Sequence, residues 1–161
     1  GVFSVCQAHM FTLGSRGGVT PNDATTDFFS VNGVSPCGGI SNSFAQYVNV
    51  TKNDVFSFSW TLVVNHNESP NPVGSVSFGY ASGTVSPSTV FNTVAPSVPI
   101  ATQSVNHFYP LTFPIPPISG PGTLQVVYDV NGANSPYPKY YQCIDLWVNQ
   151  MVKWCQQNVT P

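Results

Sequence analysis

The chain has 161 residues and a formal net charge of −2, and only 6% of its residues are Asp, Glu, Lys or Arg, where about 25% is usual. Its four basic residues, Arg16, Lys52, Lys139 and Lys153, are spread along the chain and cannot form the positive stripe that nucleic acid or an anionic membrane surface requires. Hydrophobic residues make up 42%, enough for the core of one domain over residues 1–161, yet no apolar run reaches the roughly 20 residues of a membrane-spanning helix.

Proline (15 residues) and glycine (13 residues) are plentiful, and the polar positions are mostly Ser, Thr, Asn and Gln. That mix favours many short strands joined by turns over helices. In chain order, an amino-terminal strand is expected over residues 1–13, followed by short strands over 27–31 and 43–50. The clearest alternation runs from Val55 to Val63, with Phe56, Phe58, Trp60 and Leu62 on one face and Ser57, Ser59 and Thr61 on the other, the pattern of a half-buried strand. Two further strands are expected over 75–80 and 89–94. Residues 96 to 121 hold seven prolines and read as a long extended crossover along a sheet edge, because proline cannot join a central ladder. Thr123 to Val130 alternates again, opened by Gly120-Pro121-Gly122 and closed by Asn131-Gly132, both turn signals. The last strand is expected from Lys139 to Val148, with Ile144, Leu146 and Val148 on one side and Cys143 and Asp145 on the other. Residues 149–161 form a carboxy-terminal tail, although the spacing of Leu146, Val148, Met151, Val152 and Cys155 also admits a short helix over 145–157. About eight short strands predict an all-β, two-sheet sandwich.

Four cysteines, Cys6, Cys37, Cys143 and Cys155, show no C-x-x-C spacing, which speaks against a zinc or redox motif. They allow three pairings, and two disulfides in an oxidising compartment is the expectation. Three sequons point the same way: Asn49-Val50-Thr51, Asn67-Glu68-Ser69 and Asn158-Val159-Thr160. Asn67 is the best acceptor among them, since residues 65–72 have the composition of an exposed loop. A secreted glycoprotein at the cell wall, at the surface or outside the cell is therefore expected, with its leader removed before residue 1. Attached glycans would supply the solubility that charge does not.

The three histidines, His9, His66 and His107, sit in no H-E-x-x-H motif, and no G-x-S-x-G is present. Asp23, Asp27, Asp54 and Asp129 read as turn and surface residues. Asp145 differs, because it lies two residues after Cys143, on the same side of a strand that should be partly buried. A carboxylate there needs a hydrogen-bond donor or a metal.

Two motifs flank the chain, Pro36-Cys37-Gly38-Gly39 and Tyr141-Gln142-Cys143-Ile144-Asp145-Leu146, with Ser59-Trp60-Thr61-Leu62 between them. In this order they resemble the secreted fungal copper-binding proteins akin to lytic polysaccharide monooxygenases, the copper-acquisition-factor-like family, over roughly His9 to Val148. The resemblance implies an immunoglobulin- or fibronectin-like β-sandwich and a Cys37–Cys143 bridge. It also implies copper held by the amine and imidazole of an amino-terminal histidine, a second histidine and an aspartate, a nitrogen-rich set that suits Cu(II). Asp145 stands where the similar motif carries its aspartate, and His9 opens a stretch like the family's amino terminus. The second histidine, expected shortly before Trp60, is not there; Ser57 or a neighbour takes its place. Cleavage before His9 would free its amine but discard Cys6, whereas retention of Cys6 allows a Cys6–Cys155 bridge and leaves His9 without a free amine.

With the copper set incomplete, the leading expectation is a non-enzymatic protein without a cofactor, serving structure, self-assembly or surface display. Residues 1–13 would then add an edge strand to a neighbouring copy, giving a homo-oligomer or filament. The first alternative is an extracellular copper-binding protein using His9 and Asp145. The second is a carbohydrate-binding module that stacks sugars on Tyr137, Tyr140, Tyr141, Trp147 and Trp154.

Overall fold

The structure is a computed structural model that describes residues 10–12, 34–40, 47–62, 74–99, 109–130 and 139–150. Every regular element among these residues is a strand: β1 (Met10–Thr12), β2 (Val48–Thr51), β3 (Val55–Leu62), β4 (Ser75–Ser82), β5 (Asn92–Pro99), β6 (Tyr109–Pro114), β7 (Gly120–Asp129) and β8 (Lys139–Asn149). They form two sheets, one of order β1-β3-β6 and one of order β2-β8-β7-β4-β5. The first is wholly antiparallel. In the second, β2 alone runs parallel to its neighbour, β8.

The alternation read from the sequence sets which face meets which. Phe58, Trp60 and Leu62 of β3 are buried, as are Val76, Phe78 and Tyr80 of β4, Leu124, Val126 and Tyr128 of β7, and Tyr140, Ile144, Leu146 and Val148 of β8. The sheets close face to face through aromatic contacts, with Phe58 and Trp60 on Phe78 at 6.1 and 5.9 Å and Tyr80 on Phe113 at 5.8 Å. These make one apolar core between two layers, the sandwich that the strand pattern predicts.

Gly122 shows how tightly that core is fitted. Its missing side chain is the space taken by the Tyr80 phenol, and a Cβ at this position would collide with the ring. The Tyr80 hydroxyl lies buried without a well-formed hydrogen bond. Burial pushes its pKa above the ordinary 10.0, outweighing the lowering effect of the Ser82 side chain.

Two corners position the outward side of the five-stranded sheet. Between β2 and β3 the chain changes sheets in a tight turn: Asp54 N donates to the Thr51 carbonyl and Lys52 N to the Asn149 carbonyl, while Asn53 takes a φ of 64°, a conformation that asparagine tolerates. The second corner is the segment 34–40. There Gly38 and Gly39 have φ of 69° and 76°, which glycine adopts at no steric cost, and Gly38 N donates to the Val34 carbonyl at 2.7 Å.

Several expectations change. The proline-rich stretch is not a plain crossover. Pro96 and Pro99 sit in β5 and Pro110 and Pro114 in β6, each strand at the margin of its sheet among the described residues, where a missing N–H does no harm. The helix over 145–157 is corrected as far as Asn149, which is strand, because Ile144, Leu146 and Val148 already face the core with period two. The amino-terminal strand pairs with β3 of its own chain over Met10–Thr12; residues 1–9 and 13 lie outside the described residues, as does the strand expected over 27–31. One of the two expected bridges is present, Cys37–Cys143, with Cα atoms 5.3 Å apart, while Cys6 and Cys155 lie outside.

Candidate functional site

The outward side of β8 gathers the chemistry. Its odd-numbered residues, Tyr141, Cys143, Asp145, Trp147 and Asn149, face away from the core. In register beside them are Gln125 opposite Cys143, Thr123 opposite Asp145 and Pro121 opposite Trp147 on β7, with Asn49 opposite Trp147 on β2. The bridge to Cys143 anchors the 34–40 turn on this side, and Gln125 Nε2 donates to the Pro36 carbonyl at 2.8 Å. The glycines of the Pro36-Cys37-Gly38-Gly39 motif bend the chain there, while its cysteine ties it down.

Asp145 is only 2% exposed although it points outward, and Thr123 is equally covered. The Thr123 hydroxyl donates to Asp145 Oδ1 at 2.8 Å, supplying a partner for a carboxylate that could not otherwise be taken out of water cheaply. β1 comes close to β8, so the chain directly after His9 runs near the strand that carries Asp145; His9 itself lies outside the described residues.

Copper(II) favours nitrogen donors. Among the described residues there is no group of three or more His, Cys, Asp and Glu side chains able to hold a metal. What they supply is one oxygen ligand, Asp145. Ser57, standing where the resemblance expects the second histidine, is exposed on β3 opposite Thr112. It lies on the outward side of the other sheet, so a ligand at that position would not meet Asp145. The described residues therefore fit a copper site only in part, and His66 and His107 lie outside them.

Among the described residues, Asp54 and Asp129 play turn and surface roles. Asp54 Oδ1 accepts from the Val55 N–H at 2.8 Å, and Asp129 pairs with Lys139 at 3.7 Å; Asp23 and Asp27 lie outside the described residues. The expected aromatic platform loses one member and spreads two others. Tyr140 faces the core, 6.0 Å from Tyr128, because it shares parity with Ile144. Tyr141 points outward but six residues from Trp147, about 20 Å along a strand. Tyr137 and Trp154 lie outside the described residues. Trp147 is paired instead with Tyr47, edge to face at 5.8 Å. Tyr47 and Thr123 carried no signal in the sequence, since strand register alone brings them to β8. Of the sequons, Asn49 is exposed on β2, while Asn67 and Asn158 lie outside the described residues.

No family model and no curated protein matches the chain. Solved structures do. One is a polysaccharide monooxygenase described as CBM33, with 15% identity over 88% of this chain and 76% of that one and a TM-score of 0.46. Another is a lytic polysaccharide monooxygenase from Streptomyces lividans, with 13% identity over 77% and 70% and a TM-score of 0.41. A third is a chitin-binding domain from Burkholderia pseudomallei, with 19% identity over 83% and 67% and a TM-score of 0.41. Likeness of this size does not carry a residue's role from one chain to another.

The expectation of a non-enzymatic chain without a cofactor finds no support in these matches: two of the three structures are described as monooxygenases. That expectation rested on the low charge, the sequons, the two bridges and the lack of an intact site, catalytic spacings included. Thr123 and Asp145, or Cys37 and Cys143, show why the lack excludes little: strand pairing and a bridge join groups that sequence spacing keeps apart.

Proposed function

We propose that this chain is an extracellular copper-binding β-sandwich protein of the monooxygenase-like kind its motifs resemble, with Asp145 as an oxygen ligand and His9 as the nitrogen donor. One observation carries the reading. Asp145 is a fully covered carboxylate on the outward side of the five-stranded sheet, two residues from the bridge that fastens the Pro36-Cys37-Gly38-Gly39 turn. Burying a carboxylate so completely, beside the equally covered Thr123 and Cys143, is costly unless the group has partners or work to do. Thr123 holds the carboxylate by one oxygen and fixes its direction, the kind of support that metal-bound carboxylates receive from neighbouring donors. Copper held there would supply one-electron redox chemistry.

The test begins with the mature amino terminus, read by intact mass on secreted protein. Cu(II) calorimetry on that material should show a single tight site when the chain begins at His9. A chain that begins at Gly1 and takes up no Cu(II) contradicts the proposal. Release of oxidised oligosaccharides from chitin or cellulose by the loaded protein would extend the reading to catalysis on polysaccharide.

A further inference from the structure

The edge of the five-stranded sheet holds a second feature, independent of copper. Asn49 lies opposite Trp147 in the parallel β2–β8 register. Val48 and Val50 pack against the core, so Asn49 and Thr51 turn outward and share a face with Trp147 and Asn149. Trp147 is 42% exposed and Tyr47 40%, a large aromatic surface left in water at the margin of a sheet, which is unfavourable unless something covers it. Asn149 Nδ2 donates to Asn49 Oδ1 at 3.3 Å. That bond uses the oxygen of the Asn49 amide and leaves its nitrogen, the atom that an N-glycan occupies.

We infer that Asn49 carries an N-linked glycan whose first sugar lies on the Trp147 ring, making β2 and β8 a modification site with its own aromatic platform. The sequon Asn49-Val50-Thr51 supplies the acceptor. The donor is an oligosaccharide joined to a lipid through a diphosphate. The bond from sugar C1 to the diphosphate oxygen breaks, the bond from C1 to Asn49 Nδ2 forms, the amide loses one proton and the lipid diphosphate leaves. The apolar C–H face of a pyranose suits an indole held edge to face by Tyr47. β2 is the outermost strand of its sheet among the described residues, and a glycan there blocks the addition of another strand. A chain with only 6% charged residues has little electrostatic repulsion to do that job.

The chemistry that suits Trp147 is a pyranose face, and a free polysaccharide chain could offer it too; the register of Asn49 with Trp147 selects the chain's own glycan. The test uses the full chain secreted from a eukaryotic host, with glycopeptide mass spectrometry at Asn49 and thermal unfolding of four proteins: wild type, Thr51→Ala, Trp147→Ala and the double variant. Unglycosylated protein from a bacterial host gives the direct effect of each substitution, and Trp147→Leu replaces Trp147→Ala if the latter does not fold. The expected result is occupancy at Asn49 and a glycan contribution of about 3 °C to the unfolding midpoint, falling below about 1 °C once the indole is gone. An unoccupied Asn49, or a glycan effect equal with and without the ring, overturns the inference. So does an unoccupied Asn49 together with quenching of Trp147 fluorescence by N-acetylglucosamine oligomers, which assigns the platform to an outside sugar.

Discussion

The two faces of β8 are built from alternate residues of one strand, yet they follow different rules. The inward face, Tyr140, Gln142, Ile144, Leu146 and Val148, is buried throughout, apolar but for Gln142, and meets the other sheet. The outward face, Cys143, Asp145, Trp147 and Asn149, carries a bridge, a covered carboxylate, an exposed indole and an amide between Cys143 and Asn149. The inward face, Gln142 apart, follows from the hydrophobic effect. The outward face places polar and covalent chemistry where a sandwich needs only solvent contact, and that excess is what points to function.

The largest expected effects belong to the frame that both faces share. Breaking the Cys37–Cys143 bridge with Cys37→Ser and Cys143→Ser opens a loop closed over a separation of 106 residues and should cost about 4 kcal/mol by loop entropy. Chemical denaturation of the double variant measures it, and a loss below about 1 kcal/mol would mean that the 34–40 turn holds without its staple. On the inward face, Leu146→Ala should cost about 3 kcal/mol through lost burial and the cavity left behind. Gly122→Ala drives a methyl into the Tyr80 ring and should cost about 2 kcal/mol, relieved when Tyr80→Leu is added; failure of the second change to rescue would show that the fit around Gly122 is not what limits the core.

The inward face was legible because it obeys a period of two. Phe56, Phe58, Trp60 and Leu62 were placed correctly from alternation alone, and so were Leu124, Val126 and Tyr128. Tyr140 obeys the same period, since it shares parity with Ile144, and residue type alone does not separate it from the outward aromatics. The outward face was legible only in fragments. Asp145 stood out through its spacing from Cys143, and the motif resemblance paired Cys37 with Cys143. Thr123 and Tyr47 were invisible, because register between strands distant in sequence leaves no local trace. The prolines misled for a related reason: Pro110 and Pro114 fit a paired edge strand such as β6 as well as a crossover, and Pro121 stands at the very start of the central strand β7.

Smaller effects separate the faces further. Thr123→Val should cost about 1.5 kcal/mol by removing a hydroxyl from a buried carboxylate, more than a surface threonine would. The smallest effect is one of pH. The folded-state pKa of Tyr80 is raised by burial, so the neutral phenol stabilises the fold below its unfolded value of about 10, and that contribution is lost as pH rises from there through the folded value. Tyr80→Phe should flatten this loss in unfolding midpoints compared across that range; an unchanged slope would assign the alkaline sensitivity to other groups.

The separation of the two faces is tested most directly at Asp145. Asp145→Asn keeps the shape and still accepts from Thr123, so the unfolding midpoint should stay within about 2 °C of wild type, while Cu(II) affinity, read by calorimetry and by the electron paramagnetic resonance spectrum on secreted protein of known amino terminus, should fall at least about tenfold. Unchanged copper affinity with a large loss of stability would make Asp145 a structural residue of the sandwich and contradict the account.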